Sequence, residues 1–322
     1  MLRPLLVFLI ALLFAAPASA QQIFETVGIR ALGMGGAFVA VADDSTAVYW
    51  NPAGLASGGV AGGNLEWTQL RTGDQKTSPV AGPTRRYSHF VSLGSWPVGL
   101  SYARLETTDL RDGVFNLESR SLRTRQFGLT IVQTLVPGLV LGSTLKYERG
   151  TVSAGTVSDE TVKKALDTGA ALKGTTTGAL DLDVGLMMDL SKVRAGLTMR
   201  NVRQPTFGKV SEMSVQLQRQ ARFGVAVLPT NGVTLAFDVD LNTVDLRDGL
   251  RRIIAFGGEI RPGGRLALRS GIRWNRAGDR RPVVASGLSV MIKPRVWIDM
   301  HYTHSGVIAL DRGFGVALRA GL

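Results

Sequence analysis

Arg30–Leu55 reads RALGMGGAFVAVADDSTAVYWNPAGL, and the reading of this stretch decides what the rest of the chain must be. Its glycines Gly33, Gly35, Gly36 and Gly54 let the backbone enter conformations closed to other residues and approach neighbouring backbone closely, which predicts a tight, irregular, packed segment. Phe38–Ala42 is a short apolar run, Asp43-Asp44-Ser45-Thr46 offers helix-capping side chains, and Asn51-Pro52 is a turn dipeptide. Two readings are open: a glycine-rich turn and helix on a soluble domain, or a plug packed inside a larger shell. The flanking sequence decides between them.

Upstream, Met1–Ala20 has one early charge, Arg3, an apolar run over Leu5–Ala16 and the small-residue site Ala18-Ser19-Ala20. That is the pattern of a secretory signal peptide cleaved before Gln21. The run is too short for a membrane-spanning helix, and nothing after Gln21 supplies the ~20 apolar residues that one needs. The absence of cysteine rules out disulfides, thiolate metal sites and a cysteine nucleophile. A formal charge of +12 would point to nucleic acid in a cytosolic protein. An exported chain instead meets outer-membrane lipid and lipopolysaccharide, or an anionic solute, so nucleic acid is not expected as a partner.

Downstream of Gly62 the dominant period is two. In Arg265–Trp274, Leu266, Leu268, Ile272 and Trp274 share one face and Arg265, Ala267, Arg269 and Arg273 the other. The same alternation runs through Leu139–Tyr147, Val193–Met199, Val233–Leu241 and Phe314–Leu322. Short turns, such as Trp96-Pro97-Val98, Val136-Pro137-Gly138 and Pro262-Gly263-Gly264, alternate with longer polar connections around Thr107–Ser121, Thr151–Thr176, Gln204–Ser214 and Asp245–Gly249. The predicted strands are 62–71, 86–95, 99–107, 122–134, 139–150, 177–188, 193–203, 216–228, 233–243, 251–261, 265–275, 282–292, 296–304 and 312–322. Strands of about nine to eleven residues match a tilted crossing of the hydrocarbon layer. Lipid leaves no backbone group unpaired, so they must close. The expected fold is all-β: a transmembrane antiparallel β-barrel of about 14 strands over 62–322, preceded by a plug or hatch over 21–61 and a cleaved signal peptide over 1–20.

Ala31–Phe38 and Ala42–Leu55 together resemble the N-terminal signature of the FadL/TodX superfamily of outer-membrane transport barrels, and most of all its shorter PorV/PorQ-like members. The resemblance implies a hatch inside a fourteen-stranded barrel, with the Asn-Pro-Ala turn belonging to the hatch. It also implies a Gram-negative outer-membrane location and gated passive transport of hydrophobic or amphipathic small molecules such as fatty acids. The PorV/PorQ likeness implies the alternative, a barrel subunit that supports secretion or surface attachment of proteins. Under either, Gly33, Gly35, Gly36, Asp43, Asp44, Asn51 and Pro52 are the expected plug and gate residues.

A barrel of this size is too wide to be filled by its own side chains, so the segment before Gly62 is expected in its lumen. The inward faces would carry Lys146, Glu148, Asp181, Asp183, Arg194, Arg200, Arg222, Asp238, Asp240, Glu259, Arg261, Asp299, His301 and Arg319 beside Arg265, Arg269 and Arg273. Cross-strand ion pairs are one reading of this set. The other is a basic path for an anionic head group, with Arg265, Arg269 and Arg273 on one strand face as its core. Ser158–Leu166 in the third external loop reads as a short capped helix, either over the barrel mouth or as a solvated loop. Enzymatic, metal and cofactor chemistry has little support: His89, His301 and His304 form no metal-binding pair, and Gly33-Met34-Gly35-Gly36 lacks the lysine of a phosphate-binding loop. His89 with Ser101, on neighbouring strands, is the nearest approach to a hydrolase pair.

Overall fold

The computed structural model describes residues 22–72, 82–112, 117–159, 161–209, 213–246, 249–278, 280, 282–305 and 312–321. The leader over 1–20, the tip of the first long connection, the last long connection over 306–311 and the terminal Leu322 lie outside the described residues.

The alternation of the sequence becomes the wall of a closed barrel. Its strands are β1 (Gly62–Thr72), β2 (Thr84–Ser95), β3 (Val98–Asp112), β4 (Leu117–Val136), β5 (Leu139–Val157), β6 (Thr175–Asp189) and β7 (Val193–Arg200). After two short strands, β8 (Thr206–Lys209) and β9 (Met213–Gln216), the wall continues with β10 (Gln220–Val227) and β11 (Val233–Asp240). A further short pair, β12 (Val244–Leu246) and β13 (Gly249–Arg251), precedes β14 (Ile253–Ile260), β15 (Leu266–Asn275), β16 (Pro282–Lys293), β17 (Val296–Ser305) and β18 (Arg312–Gly321). Fourteen strands close the ring in antiparallel order, and β1 pairs with β18 from Gly62 opposite Gly321 to Arg71 opposite Arg312. All fourteen expected strands are present.

Which side of each strand is wet decides the environment the wall suits. On β4 the buried inward residues are Thr124, Gln126 and Thr130, whereas Phe127, Leu129 and Ile131 are exposed outward. On β18, Phe314, Val316 and Leu318 are exposed in the same way. Outward aromatic pairs, Tyr102 with Phe127 at 4.9 Å, Phe237 with Phe256 at 4.8 Å and Trp67 with Phe314 at 5.1 Å, belong to this belt. A polar interior and a continuous apolar exterior invert the soluble arrangement and match a lipid-facing wall.

The short turns gather at one rim and the long connections at the other. Four long connections differ from expectation. Thr107–Ser121 is mostly strand, because β3 and β4 stay paired up to Asp112 opposite Leu117. Gln204–Ser214 and Asp245–Gly249 contain the hairpins β8–β9 and β12–β13. The helix expected at Ser158–Leu166 is instead Val162–Ala171, with Thr161 accepting a hydrogen bond from the Lys164 N–H at 3.3 Å. It does not cap the mouth. It lies on the outward side of β3–β5, where Leu110 and Val157 continue the apolar parity of the wall and are covered by Ala165 and Leu166. The mouth is approached by β8–β9, whose Phe207 packs inward with Leu122, Val152, Val215 and Leu217.

Before β1 the chain forms α1 (Ile29–Gly33), α2 (Ala47–Trp50) and a 3-10 turn, Pro52–Ser57. With α1 and α2 numbered so, the external helix Val162–Ala171 is α3. Residues 22–42 and 45–55 are all buried, and they pack against the inward side chains of the wall.

Candidate functional site

The centre of the barrel is apolar although its wall is polar. Phe24, Phe38, Tyr49 and Trp50 from the N-terminal segment gather with Phe90 of β2: Phe24 to Trp50 4.9 Å, Phe38 to Trp50 5.9 Å, Tyr49 to Phe90 5.8 Å between ring centroids. Trp50 Nε1 donates to the Val27 carbonyl at 3.1 Å, so its one polar atom is satisfied. Guanidinium groups cover the outer faces of this cluster. Arg200 lies 3.5 Å from the Tyr49 ring centroid and Arg222 lies 4.4 Å from that of Phe24. Burial pushes the Tyr49 phenol up, which keeps it neutral.

Around that cluster, polar groups tie the segment to the wall. Glu66 accepts from the Gly28 and Ile29 N–H groups at 2.5 and 3.1 Å. Asp238 accepts from those of Phe38 and Val39 at 2.9 and 3.0 Å. Glu25 sits between Arg222 (2.6 Å) and Arg251 (2.7 Å), with Arg222 also bonded to Asp240 at 2.7 Å. Arg30 donates to both oxygens of Glu259 at 2.8 and 2.9 Å and to Asp43 and Asp44. Burial works against the charge on Arg30, but Asp43 and Glu259 outweigh it and hold the guanidinium firmly protonated. Burial likewise pushes the Asp44 carboxyl up and Arg30 overcomes it, leaving Asp44 below the usual carboxylate range.

The expected gate residues meet around this seat. Asn51 donates from Nδ2 to the Val39 and Leu186 carbonyls at 2.9 and 3.0 Å and accepts from the Ala53 N–H at 3.2 Å. Gly35 and Gly36 have φ of 70° and 91°. Gly33 lies so near Gly287 of β16 that a Cβ on it would be 3.0 Å from the Gly287 Cα. Asp43 and Asp44 hold Arg30, and Pro52 lies against Gly142 and Gly185 of the wall.

The arginine trio does not form one path. Arg269 and Arg273 are buried on the inward face of β15, but Arg265 is exposed. It follows the turn Pro262–Gly264, one residue before the strand begins, so its correct parity never becomes an inward position. Arg261, at the same turn, is also exposed. Arg269 is engaged by Glu259 at 2.5 Å and by Ser289 at 2.6 Å. Ion pairing extends elsewhere: Lys146 contacts Glu148, Asp181 and Asp183 at 2.9 to 3.0 Å, and Arg319 contacts Asp299 at 2.7 Å. His89 faces outward and Ser101 inward, so that pair does not meet. Among the described residues no group of His, Asp or Glu is placed to hold a metal ion.

Sequence reasoning missed the wall's half of the seat. Gly142, Gly185, Gly196, Gly257 and Gly271 occupy inward positions in otherwise alternating strands, and each admits backbone or Asn51 of the segment where a side chain would stand. An isolated glycine in a strand is the available signal for such close approach.

A cavity of about 270 Å³ opens at the short-turn rim, lined by Asp43, Asp44, Leu55, Trp96, Trp297 and Arg319 among others. Towards the long-connection rim, a pocket between Gln22, Phe24, Arg222, Val244 and Leu246 holds about 10 Å³.

A family model described as "F plasmid transfer operon, TraF, protein" matches residues 66–240. No curated protein sequence matches. Among solved structures, the CymD monoaromatic hydrocarbon channel aligns with a TM-score of 0.67 at 13% identity, over 93% of this chain and 99% of that one. The Ralstonia pickettii toluene transporter TbuX aligns at 0.63 and 13%, over 93% and 100%. A Pseudomonas aeruginosa FadL homologue aligns at 0.65 and 9%, over 94% and 99%. At these identities the likeness is one of fold, and the fold is that of the FadL-type barrels.

Proposed function

The chain belongs to the family described as F plasmid transfer operon, TraF, protein, and on that premise we propose that it is an outer-membrane barrel for passive passage of hydrophobic small molecules, gated by residues 21–61. In this reading residues 1–20 are cleaved on export, the short-turn rim faces the periplasm, and the long connections face outward. The observation that carries it is the apolar centre formed by Phe24, Phe38, Tyr49, Trp50 and Phe90. A water-filled pore has no use for such a centre, whereas an apolar solute partitions into it once the segment shifts. The open space towards the short-turn rim supplies an exit, and residues 21–61 supply the gate. Because Arg269 is engaged by carboxylate, uncharged hydrocarbons suit this interior better than fatty acids. Solved barrels of the same fold include those titled as hydrocarbon and toluene channels, which agrees with that choice.

Uptake of labelled toluene and labelled sucrose by intact Gram-negative cells tests the reading. Cells producing the full chain should take up toluene faster than cells without it and should exclude sucrose, and deletion of residues 31–55 should admit both. Toluene uptake no faster than in cells without the chain would refute it. A second reading, a barrel subunit that supports protein secretion or surface attachment, is favoured by the filling of the lumen by residues 22–55. It would be supported by co-purification of a large secreted client together with no change in uptake.

A further inference from the structure

The inner wall sets an acid against its buried Arg222 and Arg269 and its half-buried Arg319, but one patch of the outer wall does the reverse. Arg104 on β3 is directly opposite Arg125 on β4, and Arg125 is directly opposite Arg149 on β5. All three point outward, and Arg125 and Arg149 are exposed. Side chains opposite one another across strands stand about 4.5–5.5 Å apart at Cβ, and like charges there repel. Among the described residues the carboxylate in contact with the row is Glu106, which holds Arg123 at 2.9 Å and lies 3.8 Å from Arg104, while Asp167 of α3 is taken by Arg85 at 2.6 Å. Among the described residues Arg125 and Arg149 have no hydrogen-bond or ion-pair partner. Four guanidinium groups therefore face one carboxylate on an exposed surface, a placement that calls for an external anion.

The level of the row identifies the anion. Two residues below it Tyr102, Phe127 and Tyr147 stand in direct register, and two further down come Leu100, Leu129 and Leu145, all in the apolar belt. Two residues above it Arg123 donates to the Ala170 carbonyl of α3, which roofs the patch and carries exposed Lys163 and Lys164. The arginines thus stand about 7 Å along the strand from an aromatic girdle, at the level where lipid head groups lie. Beside them Trp67, Tyr87, His89, Arg104 and Glu106 line an outward recess of about 280 Å³. That is large against the ~30 Å³ occupied by one water.

We infer that this face of the barrel, from Arg104 across Arg125 to Arg149 beneath α3, is a docking site for the phosphates of a phosphorylated glycolipid of the outer leaflet. The inference rests on the barrel spanning the outer membrane with its long connections outward, and it holds whatever crosses the lumen. The guanidinium forks bond phosphate oxygens bidentately, the aromatic row packs against the first acyl carbons, and the recess receives the sugar.

The test is retention of bisphosphorylated lipid A by the detergent-purified full chain, measured by native mass spectrometry, beside lipid A stripped of its phosphates. Wild type should retain the first and not the second. Each arginine removed should lower retention about fivefold, so R149Q alone shows a moderate loss and the R104Q/R125Q/R149Q variant a loss of about a hundredfold. The single variant, whose heat-modifiable gel mobility reports an intact barrel, keeps the test valid should the triple variant fold poorly. Equal retention by wild type and R149Q, or equal retention of the two lipids, overturns the inference. Failure of the membrane-spanning reading would show separately, as a protein that stays soluble without detergent.

Discussion

In a Gly271→Val variant the barrel closes normally, but the N-terminal segment fails to seat and small polar solutes leak through. A Cβ on Gly271 would stand 2.2 Å from the Met34 carbonyl carbon, 2.3 Å from its oxygen and 2.5 Å from the Gly35 nitrogen. Each of these atoms is backbone, so no side-chain rotation relieves the clash, and Gly35 is already at φ 70°. Ordinary overpacking of a core costs about 1–3 kcal/mol because side chains and backbone shift together to absorb it. Here Gly257 across the ladder is equally filled by Met34, so the segment cannot slide sideways. The cheaper response is for residues near Met34 to leave. The wall survives because β15 keeps its hydrogen bonds and its outward face. Gly258→Val is the matched control: it faces outward, and its Cβ would meet Leu235 Cδ2 at an ordinary 3.4 Å. Sucrose-driven swelling of proteoliposomes should therefore separate the two variants, with Gly271→Val fast and Gly258→Val as slow as wild type. A Gly271→Val barrel as tight as wild type would show that the segment is not what closes the lumen.

The sequence carried the wall clearly and the seat only by half, and the difference has a physical origin. Lipid on one side and polar groups on the other impose a period of two wherever a strand crosses the apolar belt, so all fourteen strands were legible. Where strands continue beyond the belt the constraint lapses. Glu106-Thr107-Thr108-Asp109 reads as a polar loop, yet it is the top of β3, covered outside by α3. The hairpins β8–β9 and β12–β13 have strands of four and three residues, too short for any period to register. At the seat, Gly35 and Asn51 announced tight packing, but their counterparts on the wall did not. Gly142 and Gly258 look alike in sequence, and only register shows that one receives Pro52 and Ala53 while the other faces outward. The charged inward residues were legible as a set. Their pairing was not, because Arg30 finds Glu259 229 positions away. Arg265 shows the limit from the other side, with the right parity one residue outside the strand.

Replacing Glu25 by glutamine should release the start of the segment relative to the wild type, and by the same factor at pH 5 as at pH 8. Glu25 is fully buried between Arg222 and Arg251. Burial pushes its carboxyl up, but Arg222, then Arg251 and Arg273, pull harder and hold it well below the usual carboxylate range. An unfolded glutamate titrates near ~4.3. With its folded pKa depressed, the stabilisation from Glu25 is fully present above that value and is lost as pH falls through the folded pKa, in strong acid. A drop from pH 7 to pH 5 therefore leaves this contribution whole. The glutamine variant loses it outright: Arg222 keeps Asp240 but faces a neutral amide on its other side, and Arg251 loses its 2.7 Å carboxylate partner. Removing one member of a buried ion pair costs about 3–5 kcal/mol, and the amide oxygen recovers one hydrogen bond, which places the loss near the lower end. About 3 kcal/mol raises the open population about a hundredfold. Hydrogen exchange over residues 22–42 reads it directly, with protection in the variant lower than in the wild type by that factor at pH 5 and at pH 8 alike. A ratio between variant and wild type that shrinks from pH 8 to pH 5 would mean that Glu25 itself gains a proton in that window, and the buried carboxylate would not be the lock.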